Sequence, residues 1–331
     1  MRELNAGMLK DFGLNIKKYH REFGAYLCET DQGIYLVKSV DYSEREMKCA
    51  HAAKEHLKAA GMYDIDGYAL YSDGQPWAMI NREKIAVRRW LQGEEADPEQ
   101  VQDCCRLGKA LAKLHLYCQG LELPEDCPLI PRYNELPERL ERQIRRVRSM
   151  GKNIRRRGRL EEFDLLFLKT MRLYEESANA AVAGLRDGCM ETVAGWAAKE
   201  KMFCHGEFSN HSVLFSGEEM LIHGFEEIRL APPVMDLARL MEKVLRKNCW
   251  RSEGALQLLE AYENLRKLCS EEKRILYYYL LFPKRAWELA ADGYGRRSHW
   301  VPALYRDKLE ELIGLSEERE NALEQIKMIL L

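Results

Sequence analysis

The chain has 331 residues, of which 46% are hydrophobic and 31% are charged, with 51 Lys and Arg against 53 Asp and Glu. A chain of this length and apolar content buries a large core, so disorder is not expected. The near balance of charge favours neither nucleic acid nor a membrane surface as a partner. No apolar run reaches the roughly 18 residues of a membrane span. We therefore expect one bilobal unit or two packed domains.

The cysteines show no pattern of metal binding or secretion. There are ten of them, and they include the neighbours Cys104 and Cys105 but no C-x-x-C pair. Cys and His do not cluster at the spacing of a zinc site. The first residues, MRELNAGMLKDFG, lack the apolar core of a signal peptide. The cysteines are therefore expected to be reduced, in an intracellular chain.

The N-terminal part alternates in the manner of β-strands. Residues 14–40 read LNIKKYHREFGAYLCET, a turn, and IYLVKSV, which predicts a hairpin. A helix is predicted over 43–60, ending at Gly61. Short strands over 67–71 and 77–81 follow, joined by a Ser-Asp-Gly turn. These elements predict a small antiparallel sheet with one helix.

A polar segment then leads into a helical region. Residues 88–97, RRWLQGEEAD, are predicted to form a linker, and 98–116 a helix with apolar residues at helical spacing. His115, near the end of that helix, is interpreted as a core or capping residue. Core helices are predicted over 163–182 and, beyond residue 236, over 236–248, 252–268 and 270–291, with a break at Phe282-Pro283 and a last helix from Ser316.

Residues 139–159 form the most charged segment of the chain. They hold ten basic residues and a single acidic one, Glu141. Two interpretations stay open: a solvated rim of a helical hairpin, or a docking surface for an acidic partner. Nucleic acid is disfavoured as a partner because no aromatic residues interleave the basic ones.

Chemistry-bearing residues stand at an interpretable spacing in the stretch 203–240, FCHGEFSNHSVLFSGEEMLIHGFEEIRLAPPVMDLARL. The triplet HGE at 205–207 precedes two short apolar runs, VLF and MLI, which a Ser-Gly turn joins. A helix is predicted to begin at Leu237, with Asp236 as its N-cap. This order is typical of a kinase catalytic loop, hairpin and helix in which the catalytic groups are altered.

The same order is similar to that of the aminoglycoside and choline kinase-like superfamily, whose pattern is H-G-D-x-x-x-x-N, a hairpin, D-F/W-D/E and a helix beginning D-L-A. The resemblance implies that His205 and Glu207 belong to the catalytic loop, with Glu207 in place of the catalytic Asp. It implies that Ser212 replaces an Asn that binds magnesium. The Asp that supplies the second magnesium ligand falls on Gly224, or on His223 if the match shifts by one residue.

On the same plan Lys38, in the strand YLVKSV, matches the lysine that pairs with the nucleotide phosphates. Glu46 or Glu44 matches the helix glutamate that orients this lysine, and we predict an ion pair between them. The alternative is a strand lysine that faces solvent. The loop over 19–24 carries one glycine where nucleotide-binding loops carry several, which disfavours ATP.

Taken with the linker WLQGEEAD, the motifs HGEF and PPVMDLA and the tail F-P-x-x-x-W…Y…W…K-L, the chain resembles CotS-type spore-coat proteins over nearly its whole length. The resemblance implies an α+β, bilobal protein-kinase-like fold. A small antiparallel-sheet N-lobe would span 1–92, and a large, mostly helical C-lobe would span 93–331. It also implies synthesis in the cytoplasm of the mother cell, deposition on the spore coat, and other spore-coat proteins as partners.

Two functions follow from the altered positions. A catalytically degenerate kinase, or pseudokinase, acting in assembly or binding is favoured, because phosphoryl transfer depends on groups that hold the γ-phosphate and its metal in line. The alternative is an active ATP-dependent small-molecule phosphotransferase in which Glu226, with Glu227 or His223, replaces the missing metal ligands. Nucleotide binding without transfer is a third case.

We therefore expect no firmly bound cofactor, and at most weak binding of ATP and Mg²⁺. Asp236 is expected to be structural, with its carboxylate accepting backbone N–H groups of its own helix or of the His205-Gly206 turn.

Overall fold

The N-terminal lobe is built on a five-stranded antiparallel sheet. The computed structural model describes residues 6–22, 24–125, 127, 129–295 and 303–331. A 3₁₀ helix, Ala6–Phe12, comes first. The strands are β1 Ile16–Glu22, β2 Ala25–Thr30, β3 Gly33–Ser39, β4 Ala78–Ile80 and β5 Glu83–Arg89, in the spatial order β1-β2-β3-β5-β4, with the helix α1 Glu44–Ala59 between β3 and β4. The expected antiparallel N-lobe is confirmed.

The predicted hairpin over 14–40 is a meander of three strands rather than two. The long alternating stretch reverses direction at Gly24, where φ is +78°, a conformation that glycine adopts without steric cost. Phe23, in the predicted phosphate loop, lies outside the described residues.

The strand β5 was not predicted, and its last residues, Arg88 and Arg89, were wrongly assigned to the linker. The turn that leads into β5 consists of Asn81 and Arg82, whose φ values are +51° and +67°. Tight hairpin turns of this kind are usually marked by glycine. Because neither position is glycine, the sequence carries no clear turn signal here. The predicted lobe boundary at 92 falls between β5 and β6.

The helix α1 begins with a complete capping box. The Ser43 hydroxyl accepts from the Glu46 N–H, and the Glu46 carboxylate accepts from the Ser43 N–H at 2.7 Å. Two of the backbone donors at the start of the helix are thereby satisfied. The apolar face of α1 includes Met47, Ala53 and Leu57, and it packs into the same core as the helices of the second lobe. The helix α1 of the N-terminal lobe therefore also packs against the second lobe.

The second lobe is mostly helical, as expected. Its helices are α2 Val101–His115, α3 Leu136–Arg155, α4 Glu162–Arg186, α5 Cys189–Lys199, α6 Val234–Lys247, α7 Glu253–Glu263, α8 Ser270–Leu281, α9 Lys284–Gly295, α10 Ala303–Gly314 and α11 Ser316–Leu330. A three-stranded sheet, β6 Glu94–Glu95, β7 Val213–Ser216 and β8 Glu219–Ile222, carries the predicted hairpin. Among the described helices, none is long and apolar enough to cross a membrane.

Several boundaries differ from the prediction. The helix α5 was not predicted, whereas the break at Phe282-Pro283 separates α8 from α9 as expected. Part of the tail motif, residues 296–302, lies outside the described residues.

Residues 64–69 connect the sheets of the two lobes. Ile65 forms a parallel bridge with Ile222, and the Asp66 N–H donates to the Ile222 carbonyl at 3.0 Å. A few residues on, the Ala69 N–H donates to the Val87 carbonyl of β5 at 2.9 Å. The predicted strand over 67–71 is reduced to this short contact with β5. The segment places the side chains of Asp66 and Tyr68 between the lobes.

Two cysteines are paired, contrary to the expectation that all are reduced. Cys49 of α1 and Cys127, in the connection between α2 and α3, form a disulfide with Cα atoms 5.5 Å apart. The partners are 78 residues apart in sequence, so no short motif announces the pair. The other eight cysteines are free.

We expect peptide mapping without reductant to recover Cys49 and Cys127 in one cross-linked fragment. Because the bridge closes a long loop, Cys49→Ser should lower the unfolding free energy by about 2–4 kcal/mol in a denaturant titration. Cys249→Ser, at an exposed free cysteine, is the matched control and should change it by less than about 0.5 kcal/mol. Equal effects of the two substitutions would contradict the bridge.

Candidate functional site

Asp236 holds the catalytic loop through the loop backbone. Its side chain is fully buried, Oδ2 accepts from the His205 N–H at 2.6 Å, and Oδ1 accepts from the Gly206 N–H at 3.1 Å. These are hydrogen bonds that the sequence predicts. The predicted N-cap position is wrong, because α6 begins at Val234, three residues before the predicted start at Leu237, and places Asp236 in its first turn.

Two cationic or polar side chains surround the Asp236 carboxylate. The Arg239 guanidinium lies 3.7 Å from Oδ1 and also donates to the Gly206 carbonyl. His115 Nε2 lies 3.5 Å from Oδ2, and its Nδ1 lies 2.7 Å from the Tyr262 hydroxyl. Burial alone raises the pKa of Asp236, but His115 and Arg239 outweigh burial and hold the pKa below its usual value. Asp236 is therefore ionised at neutral pH.

Gly206 lets the catalytic loop approach the loop that follows β8. Its φ is +90°, and a Cβ at this position would collide with the Glu227 carbonyl oxygen. Next to it, the Cys204 N–H donates to the Arg229 carbonyl at 2.9 Å, and the Arg229 N–H donates back at 3.1 Å. The two loops on which a kinase builds its site are therefore in direct contact.

Glu207 and Ser212, the catalytic-loop residues expected to contact substrate and metal, differ in exposure. The Glu207 side chain is exposed. Ser212 is buried, and its hydroxyl donates to the Glu207 carbonyl and accepts from the Ser209 N–H, both at 3.2 Å. The Ser212 side chain therefore forms its hydrogen bonds within the catalytic loop.

Neither possible position of the second magnesium ligand carries a carboxylate. Gly224 has no side chain and a φ of +86°, and it opens the 3₁₀ helix Phe225–Glu227. The His223 ring lies 4.8 Å from the Trp90 ring, and burial lowers its pKa to about 3, so it is neutral. The His223 carbonyl lies 2.9 Å from His205 Nε2, which gives His205 a positioning role between the two loops.

A buried ion cluster, consisting of Lys54, Asp66, Arg88 and Glu226, lies where the two lobes meet. The Lys54 ammonium lies 2.9 Å from Asp66 Oδ1, and both side chains are fully buried. Arg88 Nη1 lies 3.1 Å from Asp66 Oδ2 and 3.5 Å from Glu226 Oε1. The Tyr68 hydroxyl donates to Glu226 Oε1 at 2.6 Å. Two formal positive and two formal negative charges cancel inside the protein.

The ion cluster fixes the charge state of Glu226. Burial raises the pKa of this carboxyl, but the charges of Lys54 and Arg88 outweigh burial and bring the pKa to about 2. Glu226 is therefore an anion whose charge is already compensated by protein cations. As a replacement metal ligand it would first have to leave Arg88 and Tyr68.

The predicted ion pair between Lys38 and Glu46 or Glu44 is wrong. The Lys38 side chain is exposed, and no carboxylate of a described residue lies within 4 Å of its ammonium. The physical reason is local, because the Glu46 carboxylate caps α1 by accepting from Ser43. Both glutamates lie in the first turn of α1, away from its buried face. A nucleotide-binding role for Lys38 stays a prediction.

Sequence reasoning missed most of the ion cluster. Arg88 was assigned to a linker, and Asp66 stands in a connection without regular structure. Lys54 did leave a signal, since it falls on the apolar face of α1 in step with Ala50 and Leu57. A lysine on a buried helix face needs an anionic partner.

The fold and the two facing loops define a kinase-like protein. The chain belongs to the family described as "Spore coat putative kinase YutH", whose model matches residues 6–326, and this confirms the resemblance to spore-coat proteins.

Solved structures of small-molecule kinases share the fold. An aminoglycoside phosphotransferase from Alicyclobacillus acidocaldarius matches with a TM-score of 0.85 and 17% identity, over 100% of this chain and 97% of that one. A spectinomycin phosphotransferase, solved with ADP and spectinomycin, matches at 0.57 and 16%, over 96% and 97%. A choline/ethanolamine kinase family protein from Mesorhizobium loti matches at 0.50 and 17%, over 94% and 92%. At these identities the similarity shows the fold alone.

Replacing Asp236 should destabilise the protein through the catalytic loop. Asp236→Ala leaves two buried N–H groups without an acceptor and Arg239 without its anion, so we expect the unfolding free energy to fall by about 3–5 kcal/mol. Asp41→Ala, at an exposed position, should leave it within about 0.5 kcal/mol. Urea titration measures both. An Asp236→Ala protein as stable as the Asp41→Ala protein would remove this role.

The contribution of Glu226 to stability should depend on pH. Its pKa is about 2 in the folded protein against 4.5 ordinarily, so its stabilisation is complete above pH 4.5 and is lost as the pH falls toward 2. Glu226→Gln should therefore cost about 3 kcal/mol at pH 7 and progressively less in acid. Urea titrations of both proteins from pH 7 downward measure this. Glu227→Gln, at the exposed neighbour, is the control, and a Glu226→Gln cost that does not change with pH would refute the assignment.

Proposed function

We propose that this member of the spore-coat kinase family is a pseudokinase, a kinase scaffold that binds or assembles rather than transfers phosphate. The observation that carries the proposal is the state of the loop after β8. Neither Gly224 nor His223, the two positions where the superfamily pattern places the metal-binding Asp, carries a carboxylate, and the buried Glu226 nearby is paired with Arg88.

Magnesium requires hard oxygen ligands in near-octahedral geometry, and it usually takes one or two carboxylates from the protein. The residues present do not fit this requirement. Gly224 supplies no oxygen from a side chain, and the Ser212 hydroxyl is engaged by the Glu207 carbonyl and the Ser209 N–H. Within the described ranges, no three His, Cys, Asp or Glu side chains lie together in a way that could hold a metal ion.

The catalytic position is altered as well. Glu207 keeps a carboxylate but adds a methylene to the side chain, which displaces the carboxylate by roughly the distance that costs about 100-fold in rate. The exposure of Glu207 is the one observation that favours the alternative, an active phosphotransferase. A base without a held metal does not align the γ-phosphate, because phosphoryl transfer rests on positioning and charge neutralisation.

The place of action follows from the family. Its description assigns the family to the spore coat, so we propose that this chain acts there, made in the mother cell and held by other coat proteins. The ion cluster joins side chains of both lobes, so loss of one member would leave a buried charge without its partner. A scaffold whose lobes are joined in this way is compatible with an assembly role.

Calorimetry with ATP, run with and without Mg²⁺, tests the proposal. We expect weak binding that is indifferent to the metal, since the metal gains no protein ligand, and no ADP release above the control without enzyme. The triple variant Glu207→Asp, Ser212→Asn, Gly224→Asp supplies the side chains that the superfamily pattern places here. In this variant we expect nucleotide affinity to become dependent on Mg²⁺.

If the unmodified protein bound ATP with a Mg²⁺-dependent Kd of about 1 μM, a binding free energy of about 8 kcal/mol, the proposal would be contradicted. Combined with ADP release, that result would assign the metal to Glu207 and Glu226 and make the protein a phosphotransferase.

A further inference from the structure

A groove of about 470 Å³ lies between α3 and α9, within the second lobe. One side, formed by α3, carries three arginines, and the other side, formed by α9, carries Lys284 together with two carboxylates. The arginines, Arg139, Arg142 and Arg146, are spaced so that they project from one side of the helix. The floor is apolar, formed by Leu140, Val147 and Ala291, and the far wall carries Glu288 and Asp292.

The arginines on the two flanks of α3 differ in whether they have carboxylate partners. On the flank that faces α4, Arg148 Nε lies 2.7 Å from Glu175, and beyond the helix end Arg157 lies 2.6 Å from Asp164. On the groove flank, none of the three arginines has a carboxylate of a described residue within 4 Å or donates a side-chain hydrogen bond to one. The arginines on the flank that faces α4 therefore have carboxylate partners. The arginines on the groove flank have none among the described residues.

Arg139, in the groove, interacts electrostatically with two arginines near the catalytic loop, Arg239 and Arg229. Burial lowers the pKa of the Arg139 guanidinium and these two arginines lower it further, whereas Tyr279 and Glu135 oppose that shift. Arg239 itself donates to the Gly206 carbonyl. An anion in the groove beside Arg139 would offset part of the repulsion between Arg139 and these two arginines.

We propose that this groove binds an acidic segment of a partner protein, in which acidic side chains alternate with small apolar ones. Arg142 and Arg146 are one helical turn apart, which is about 6 Å along the axis. Alternate side chains of an extended peptide are separated by about 6.6 Å, so successive acidic residues meet successive arginines. Because successive side chains of an extended peptide point to opposite sides, the small apolar ones face away from the arginines, toward the side that carries Glu288 and Asp292.

The composition of the groove selects a peptide over a nucleic acid. Among the residues that the structure describes, no aromatic side chain lines it, so bases would find no surface on which to stack. The carboxylates of Glu288 and Asp292 on the far wall repel a polymer that is anionic on every side. A peptide that is acidic on one edge avoids that repulsion. The groove lies outside the junction between the lobes, so the inference does not depend on the absence of catalysis.

Fluorescence anisotropy with labelled peptides tests the proposal on the full chain. The probe is a peptide of about ten residues that alternates Glu and Ala, long enough to span the groove-facing turns of α3. The same peptide with Gln in place of Glu is the charge control, and oligothymidylate of equal length is the nucleic-acid control. We expect salt-sensitive binding of the Glu peptide, and at least about tenfold weaker binding of the other two.

Two charge-reversed proteins locate the site. Arg142→Glu with Arg146→Glu changes the groove, whereas Lys152→Glu with Arg156→Glu makes the same change of net charge on exposed residues outside it. The groove variant should weaken binding of the Glu peptide by about tenfold or more, and the control by less than about twofold. Circular dichroism melts check that both variants fold.

Equal weakening by the two variants would overturn the proposal, because it would show attraction by net charge alone. So would failure of the unmodified protein to bind the Glu peptide at about 1 mM. Tighter binding of oligothymidylate than of the peptide would assign the groove to nucleic acid instead, and would equally overturn it.

Discussion

The ion cluster between the lobes is the constraint on which the rest of the structure depends. Removing a charge from water costs several kcal/mol, and a buried ion is tolerated only with a well-placed partner. Lys54 comes from α1, Asp66 from the connection between the sheets, Arg88 from β5 and Glu226 from the loop after β8. All four elements must therefore be in place together. The apolar side chains of α1 that share a core with the second lobe, among them Met47 and Leu57, bring Lys54 to the same place.

The same cluster sets the charge state of the carboxylates near the catalytic loop. Phosphoryl transfer relies on metal ions that bridge the phosphates and neutralise the developing charge. Here Arg88 and Lys54 compensate Glu226 and Asp66 without any ligand. The Asp236 carboxylate likewise accepts hydrogen bonds from backbone N–H groups of the catalytic loop. These carboxylates therefore have partners within the protein. Unmatched charge is found instead on the groove flank of α3, far from the catalytic loop in sequence.

The sequence predicted the features that rest on local patterns. The two lobes, the hairpin after the catalytic loop and the hydrogen bonds of Asp236 follow from hydrophobic periodicity and from one motif with fixed spacing. The ion cluster could not be predicted in this way, because Arg88 and Glu226 are 138 residues apart. Charged residues in short polar segments look like solvent-facing ones until their partners are known. The predicted ion pair between Lys38 and Glu46 is wrong for a different reason. The order of the two residues in the chain matches a kinase, but the Glu46 carboxylate caps the first turn of α1.

The central claim is that protein cations hold the charges that a kinase would offer to metal and phosphate. A crystal structure determined after soaking with ATP and Mg²⁺ tests it most directly. We predict that Arg88 stays in contact with both Asp66 and Glu226, and that no octahedral metal appears between these side chains, Glu207 and the phosphates. A magnesium ion bound by Glu226 or Glu207, with Arg88 turned away from the ion cluster, would contradict the account.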